Sequence, residues 1–414
     1  MKEEITKEKI IEMVNTNEPT KLFDEEQAKK EQEQITEEMK EKKIKLRYSN
    51  NAPKQQFKTK EEFLEDKKNY LDNYLSSMKK YPMKFISTGF KALDSKLGGG
   101  LGEYLYTFGA ISNIGKTTFL LQIAEQISMQ KIPVLYVSLE SPEKVIVAKG
   151  LNRETCVMEF ERRNLVSESL KLDKFIAETK NYKMKNQTDE YLNFDNVVST
   201  KSILYGTYTE PQKAILDKAV ARYKNKYSYL SLTSENKISK LTEEIEEINK
   251  LFGRYPVVII DYLQRLHPEE SADRTIREIT SYNMNRLDIL KRKCETPFIV
   301  ISSLNRENYE ETLNMGAFKE SGEIEYYSDI MCGIEYDFIT QGRLGKNKIS
   351  KKKEEEINAN NGMIQINFKQ IKDRLGEVFT TSFLFYGAGG YFVETTNDDN
   401  QNGKNLDNYN ITNM

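Results

Sequence analysis

Three short clusters carry residue types that can handle phosphate chemistry. The first is Ala110-Ile111-Ser112-Asn113-Ile114-Gly115-Lys116-Thr117-Thr118, which follows an apolar stretch and opens a helical pattern. A loop in that setting turns its backbone N–H groups and a helix N-terminus toward an anion. Lys116 then reaches the β- and γ-phosphates of a nucleotide, and the Thr117 hydroxyl is placed to ligate Mg²⁺. Gly115 lets the backbone approach the phosphates without a Cβ, and Ala110, Ser112, Asn113, Ile114 and Thr118 complete the loop's contacts. The run departs from G-x-x-x-x-G-K-(S/T) at its first position, Ala110, with Gly109 one residue too early to substitute. The second cluster is Val257-Val258-Ile259-Ile260-Asp261, an apolar strand ending in an acid. It either carries Asp261 to the Mg²⁺ shell or simply ends a strand. The third is Val134-Leu135-Tyr136-Val137-Ser138-Leu139-Glu140, of the same form. Strand ends of open α/β sheets converge on ligands, so Glu140 is a candidate base for an attacking water; the alternative is a surface glutamate without a role. ATP and Mg²⁺ are the ligands these clusters imply.

The elements that must position these residues alternate as strand, loop and helix after Phe85. Strands are expected at Tyr104–Phe108, Val134–Leu139, Val257–Ile260, Phe298–Ile301, Ile330–Ile334, Met363–Gln370, Glu377–Leu384 and Tyr391–Val393. Helices are expected over Lys116–Gln130 and Thr275–Lys293. Short apolar strands bracketing helices indicate an α/β fold with a mostly parallel central sheet flanked by helices. The expected division is a charged helical or disordered arm over 1–60, an amphipathic linker helix over 61–84, an ATPase domain over 85–394 and a disordered tail over 395–414. Residues 155–250 read as a helical insertion. Phe63, Leu64, Tyr70, Leu71, Tyr74, Leu75 and Met78 share one face of the linker helix, which packs on its own domain or on a neighbouring copy.

Composition narrows the chemistry. The chain of 414 residues is 38% hydrophobic and 30% charged, with a single histidine, His267, and three dispersed cysteines, Cys156, Cys294 and Cys332. That excludes an ordinary zinc cluster and disfavours histidine-based catalysis, leaving carboxylates, lysine, arginine and a bound cation. Mean hydropathy is −0.67, and no run approaches the ~20 apolar residues of a spanning helix. With no apolar signal core after the N-terminus, a cytoplasmic protein without membrane association is expected. The net charge of −2 gives no overall attraction for nucleic acid, so any such surface must be locally basic.

Taken together, these pieces resemble the C-terminal RecA-like ATPase domain of DnaB-family replicative helicases, in the style of phage and mobile-element variants. In that family the phosphate loop commonly begins with alanine, as at Ala110. Ser87-Thr88-Gly89-Phe90-Lys91-Ala92-Leu93-Asp94 is similar to the family's T-G-(Y/F)-x-x-L-(N/D), and Ser138-Leu139-Glu140 to its S-L-E motif, whose glutamate is the catalytic base. Ile260-Asp261-Tyr262-Leu263-Gln264 matches I-D-Y-L-Q. Lys319-Glu320-Ser321-Gly322-Glu323-Ile324-Glu325 resembles R-E-S-G-x-I-E, a loop that faces a central channel. The resemblance implies that Lys319, Glu320 and Gly322, with Arg306, touch single-stranded DNA. Lys372-Asp373-Arg374-Leu375-Gly376 resembles K-x-R-x-G, whose lysine and arginine project into the neighbouring subunit's ATP site. Lys372 and Arg374 would then be catalytic in trans. The implied assembly is a hexameric ring on single-stranded DNA, with a primase or helicase loader as a further partner.

Departures from the family pattern keep other readings open. Ser302-Ser303-Leu304-Asn305-Arg306 stands where the family has S-Q-L-(S/N)-R, so Ser303 replaces a γ-phosphate-sensing glutamine. Residues 1–84 are too charged for the family's globular N-terminal domain, and the interval from Glu140 to Asp261 is long. A nucleotide-switched DNA-binding assembly or loading ATPase with little unwinding is therefore a second reading, and a filament-forming recombinase a third. The basic run from Lys346 to Lys353 is a solvated loop or a phosphate-backbone contact, and Glu354-Glu355-Glu356 counts against the latter.

Overall fold

The computed structural model describes residues 59–80, 82–162, 196–268, 275–305, 309–319, 321–344, 348–359 and 362–395. The expectations for the arm before Thr59, for 163–195 within the insertion, for Arg306 and Glu320, and for the tail after Thr395 lie outside the described residues. Two compact units divide the chain, 1–82 and 83–414. The first contributes a helix, Lys60–Lys80, with Glu61 and Glu62 in its first turn and Lys79 and Lys80 in its last. That charge order complements the helix dipole. Leu71 and Leu75, one turn apart, are 69% and 78% exposed.

The second unit is built on nine strands: β1 (Leu105–Ala110), β2 (Val134–Ser138), β3 (Leu230–Thr233), β4 (Val257–Asp261), β5 (Phe298–Ser303), β6 (Ile330–Tyr336), β7 (Met363–Asp373), β8 (Thr380–Tyr386) and β9 (Tyr391–Thr395). They form one sheet in the order β3-β2-β4-β5-β1-β6-β7-β8-β9. Strands β1 to β6 pair in parallel, and β7, β8 and β9 extend the sheet antiparallel from β6. Strands β1, β2, β4 and β6 are buried at every residue, as a parallel sheet covered by helices on both faces requires. The expected fold class is what the chain adopts.

Two local features differ from the sequence reading. Strand β3 lies inside the stretch read as helical; only Leu230 and Leu232 mark it, too short a run for period-two alternation to register. It completes the sheet edge beside β2, with Val134 opposite Leu230. The end of the basic run is not a loop but the start of a helix, Ile349–Ala359. Ile349 and Ile357 pack this helix against the core, so two apolar residues spaced by two turns outweigh the charge run between them.

The helix Lys116–Met129 is the core's central element. Phe119 is fully buried, with the rings of Phe90, Phe108, Phe383 and Phe392 centred 5.0–5.7 Å away. Gln122 donates from Nε2 to the Phe392 carbonyl and accepts from the Phe392 N–H, both at 2.9 Å. One side-chain amide thus satisfies the open backbone of edge strand β9, a need that any exposed sheet edge presents. Below the same helix, Arg153 and Glu125 form an ion pair at 3.1 Å, each 2% exposed. Tyr223 donates to Glu125 at 3.1 Å and Arg153 Nε to the Gly390 carbonyl at 3.0 Å. The helix Glu143–Arg162, which carries Arg153, comes this close because Gly150 has no side chain: a Cβ there would fall 2.2 Å from the Tyr223 hydroxyl.

Candidate active site

Strand β1 delivers the chain to a loop that turns through left-handed backbone at Asn113 (φ 62°) and Gly115 (φ 110°) before the helix starts at Lys116. Glycine adopts that conformation without Cβ strain, and Ile114, fully buried, pins the loop to the core. The two acid-bearing strands are adjacent: Ser138 on β2 lies opposite Asp261 on β4, and the Leu139 N–H donates to the Asp261 carbonyl at 2.7 Å. Register therefore brings the tips of β1, β2 and β4 into one crevice.

Within it, Thr117 Oγ1 donates to Asp261 Oδ2 at 2.7 Å, and the Tyr136 hydroxyl donates to the same oxygen at 3.3 Å. Asp261 Oδ1 is buried with no hydrogen-bond partner. Burial raises the Asp261 pKa, with the Glu140 charge adding to the rise; hydrogen bonds from Thr117 and Tyr136 and the Lys149 ammonium oppose it. A buried carboxylate oxygen without a donor, beside a threonine hydroxyl, is a hard oxygen pair of the kind that Mg²⁺ takes together with phosphate oxygens and water. Among the described residues no group of three His, Cys, Asp or Glu could hold a metal alone, so such a cation would draw its other ligands from nucleotide and solvent. The residues fit that group.

Lys116 Nζ donates to the Ile111 carbonyl at 3.2 Å, so its side chain lies folded over the loop. Burial lowers its pKa, while the Tyr309 phenol and the Asp261 and Glu140 carboxylates favour the charged form. Glu140 is exposed just beyond the β2 tip, open to solvent and close enough for its charge to act on Lys116, Asp261 and Lys149.

Three side chains at this site had no role in the sequence reading. Lys149 is half-buried on the helix Glu143–Arg162; burial lowers its pKa, and Asp261 and Glu140 counter that effect. Its signal was a lone lysine in the apolar run Val145-Ile146-Val147-Ala148-Lys149-Gly150. Gln264 reaches the tip of β5, donating to Ser302 Oγ at 2.9 Å and accepting from the Ser303 N–H at 3.3 Å. A glutamine amide thus engages Ser303 from the next strand's turn, which no spacing in the sequence could show. Tyr309 meets Ser112, hydroxyl to hydroxyl, at 3.0 Å. From the basic run, Lys353 lies 3.5 Å from the Asn113 carbonyl.

The remaining expected site residues lie elsewhere. Lys319 is exposed, its N–H donating to the Ser303 carbonyl at 3.0 Å; Gly322 faces open space. Lys372 and Arg374 are not near Lys116. Lys372 pairs opposite Met331, and Asp373 opposite Ile330, at the start of β6. Arg374 donates its N–H to the carbonyl of Asp329, and Asp329 in turn bonds to Leu105 at the opening end of β1. The loop that precedes Lys116 leaves the other end of β1, five residues and about 17 Å of strand away. The Lys372 ammonium donates to the Glu325 and Ser328 carbonyls, Arg374 Nη2 to the Tyr326 carbonyl at 2.6 Å, and Arg374 Nη1 lies 3.2 Å from Asp329 Oδ1.

Comparison with known proteins identifies the family and the fold. Residues 85–195 and 179–394 match the DnaB-like helicase C terminal domain. A probable replicative DNA helicase of Guillardia theta is 22% identical over 270 residues, covering 64% of this chain and 38% of that protein. The replicative DNA helicase DnaB of Pasteurella multocida is 26% identical over 259 residues, covering 61% of this chain and 47% of that protein. The chain thus spans less than half the length of these curated relatives. Among solved structures, a DnaB-like replicative helicase studied for its interactions with primase superposes with a TM-score of 0.57 at 17% identity, over 79% of this chain and 66% of that one. An isolated ATPase domain gives the same TM-score and identity over 80% of this chain and 98% of its own. The fold is shared with both, and the matched domain spans most of the sequence. This chain belongs to the family of DnaB-like helicase C-terminal domains.

Proposed function

We propose that the protein is an ATP-hydrolysing DNA helicase or translocase that runs on single-stranded DNA during replication, working in the cytoplasm as a hexameric ring. The observation that carries this reading is the half-buried Thr117 hydroxyl bonded to the buried Asp261 beside Lys116, with one Asp261 oxygen left unpartnered. The loop N–H groups from Ser112 to Thr118 and the Lys116 ammonium bind the phosphates, and Thr117 and Asp261 hold Mg²⁺. When bound, that cation neutralises charge on the β- and γ-phosphate oxygens. Glu140 orients a water and takes its proton; exposure at a strand tip suits a group that must meet solvent.

Lys372 and Arg374 act in the site of a neighbouring copy. Their distance from their own phosphate loop along the sheet supports this, because no local rearrangement would carry them there. Cations supplied across an interface stabilise charge spreading over the transferred phosphoryl group, worth about 10³–10⁵ in rate. The Lys319–Gly322 turns, with Arg306 and Glu320, line the channel and contact the DNA backbone. A primase or loader is a further partner.

Gln264, bonded to Ser302 and Ser303, favours one alternative, a nucleotide-switched DNA-binding assembly with little unwinding, since its amide is already engaged with β5. The test is ATP turnover with and without single-stranded DNA, together with unwinding of a forked duplex, for the wild type and Lys116→Ala. The helicase reading expects DNA-stimulated turnover and strand separation in the wild type, both abolished in the variant. DNA-stimulated turnover without strand separation would favour the switch.

A further inference from the structure

Tyr309 belongs to none of the motifs above, yet its hydroxyl meets the phosphate loop. The residue lies on the segment between β5 and the Lys319 turn; its ring is partly buried against the core and its hydroxyl sits 3.0 Å from Ser112 Oγ. Ser112 is exposed in the outer half of the loop, ahead of the helix N-terminus. Lys116 turns back onto the same stretch, its ammonium donating to the carbonyl of Ile111, the residue before Ser112, at 3.2 Å. The phenol and the lysine tip therefore meet adjacent residues of the outer loop, Ser112 and Ile111.

That convergence has a direction. The helix N-terminus and inner loop hold the phosphates nearest the backbone N–H groups. A lysine in this motif extends to the outer, β- and γ-phosphates. A phenol that meets the loop one residue from where the lysine tip rests is placed toward the terminal phosphate and not toward the nucleoside. It is a donor on a ring fixed by packing, so little ordering entropy is lost when it bonds a phosphate oxygen.

Resting on the nucleotide-site reading above, we propose that Tyr309 is a γ-phosphate-binding residue: its hydroxyl exchanges the Ser112 bond for one to the terminal phosphate and so distinguishes a nucleoside triphosphate from a diphosphate. The segment it belongs to is braced beyond this point. Thr312 Oγ1 donates to Glu335 at 2.8 Å, the Leu313 N–H donates to the same carboxylate at 2.5 Å, and Lys319 bonds to Ser303. The residue that touches the terminal phosphate is thus on the same tethered stretch as the Lys319 turn.

The test uses the full-length chain and Tyr309→Phe, which keeps the ring and removes only the hydroxyl. Binding of the non-hydrolysable analogue AMP-PNP and of ADP is measured by calorimetry with Mg²⁺, alongside thermal melting. Affinity for AMP-PNP is expected to fall about tenfold, the scale of one hydrogen bond to a charged group, with ADP affinity and melting temperature unchanged. Equal losses for both nucleotides, or no loss for either, would overturn the assignment. Failure of the wild type to bind either nucleotide would instead overturn the nucleotide site itself, and the Tyr309 proposal with it.

Discussion

The two ends of the central sheet carry the same kinds of charge under opposite conditions. At the carboxyl ends of β1, β2 and β4, half-buried Lys116 and Thr117 meet the buried Asp261 within one chain. At the opposite end, Lys372 and Arg374 sit on the rim of the antiparallel extension, their cations resting on the carbonyls of Glu325, Tyr326 and Ser328. The first cluster joins residues from two strand ends and a helix; the second rests on main-chain carbonyls and on Asp329. Two arginines sharpen the contrast. Arg153 is 2% exposed and paired with Glu125 beneath the phosphate-loop helix, whereas the Arg374 side chain is 43% exposed. Burial makes one arginine part of the scaffold, and exposure leaves the other free to change partners.

The largest effect is expected from Arg374→Ala. Turnover should fall about 10³–10⁵-fold while nucleotide binding persists. Mixing Arg374→Ala copies with Lys116→Ala copies should restore turnover, because some interfaces then join an intact loop to an intact arginine. A mixture as inactive as its components would break the division into cis and trans halves. Glu140→Gln comes next, with a loss of about 10²–10⁴-fold. It belongs to the same half as Lys116, so it should complement Arg374→Ala and fail to complement Lys116→Ala; rescue in the second mixture would move Glu140 to the other half.

The scaffold should respond differently. Arg153→Met leaves Glu125 buried without its cation, and breaking such a pair costs about 3–5 kcal/mol. Denaturant unfolding should show that loss, against less than about 1 kcal/mol for removing the exposed Arg374 pair. Equal destabilisation by both would remove the distinction between them.

Much of the crevice was legible because each of its parts is local. A glycine before a lysine at a strand-to-helix bend, and apolar runs ending in Asp261 and Glu140, are patterns within a few residues. Strand β3 escaped notice because two leucines in Leu230–Thr233 make no period, and the helix at Ile349–Ala359 because its charges hid a pair of isoleucines. Gln264 and Tyr309 were illegible for another reason, and Lys149 showed only as a lysine in an apolar run: each reaches the site from a separate segment, and only packing sets where such a side chain ends.

The sequence by itself determined the bend from strand to helix at Ile111–Gly115, the two acids and the alternating elements that carry them, since backbone conformation and strand burial follow from nearest neighbours. Only the tertiary structure decided that Thr117 and Asp261 meet, that Tyr309 covers Ser112, and that Arg374 lies at the far end of β1. Those outcomes depend on strand order and register, which arise from the packing of residues far apart in the chain.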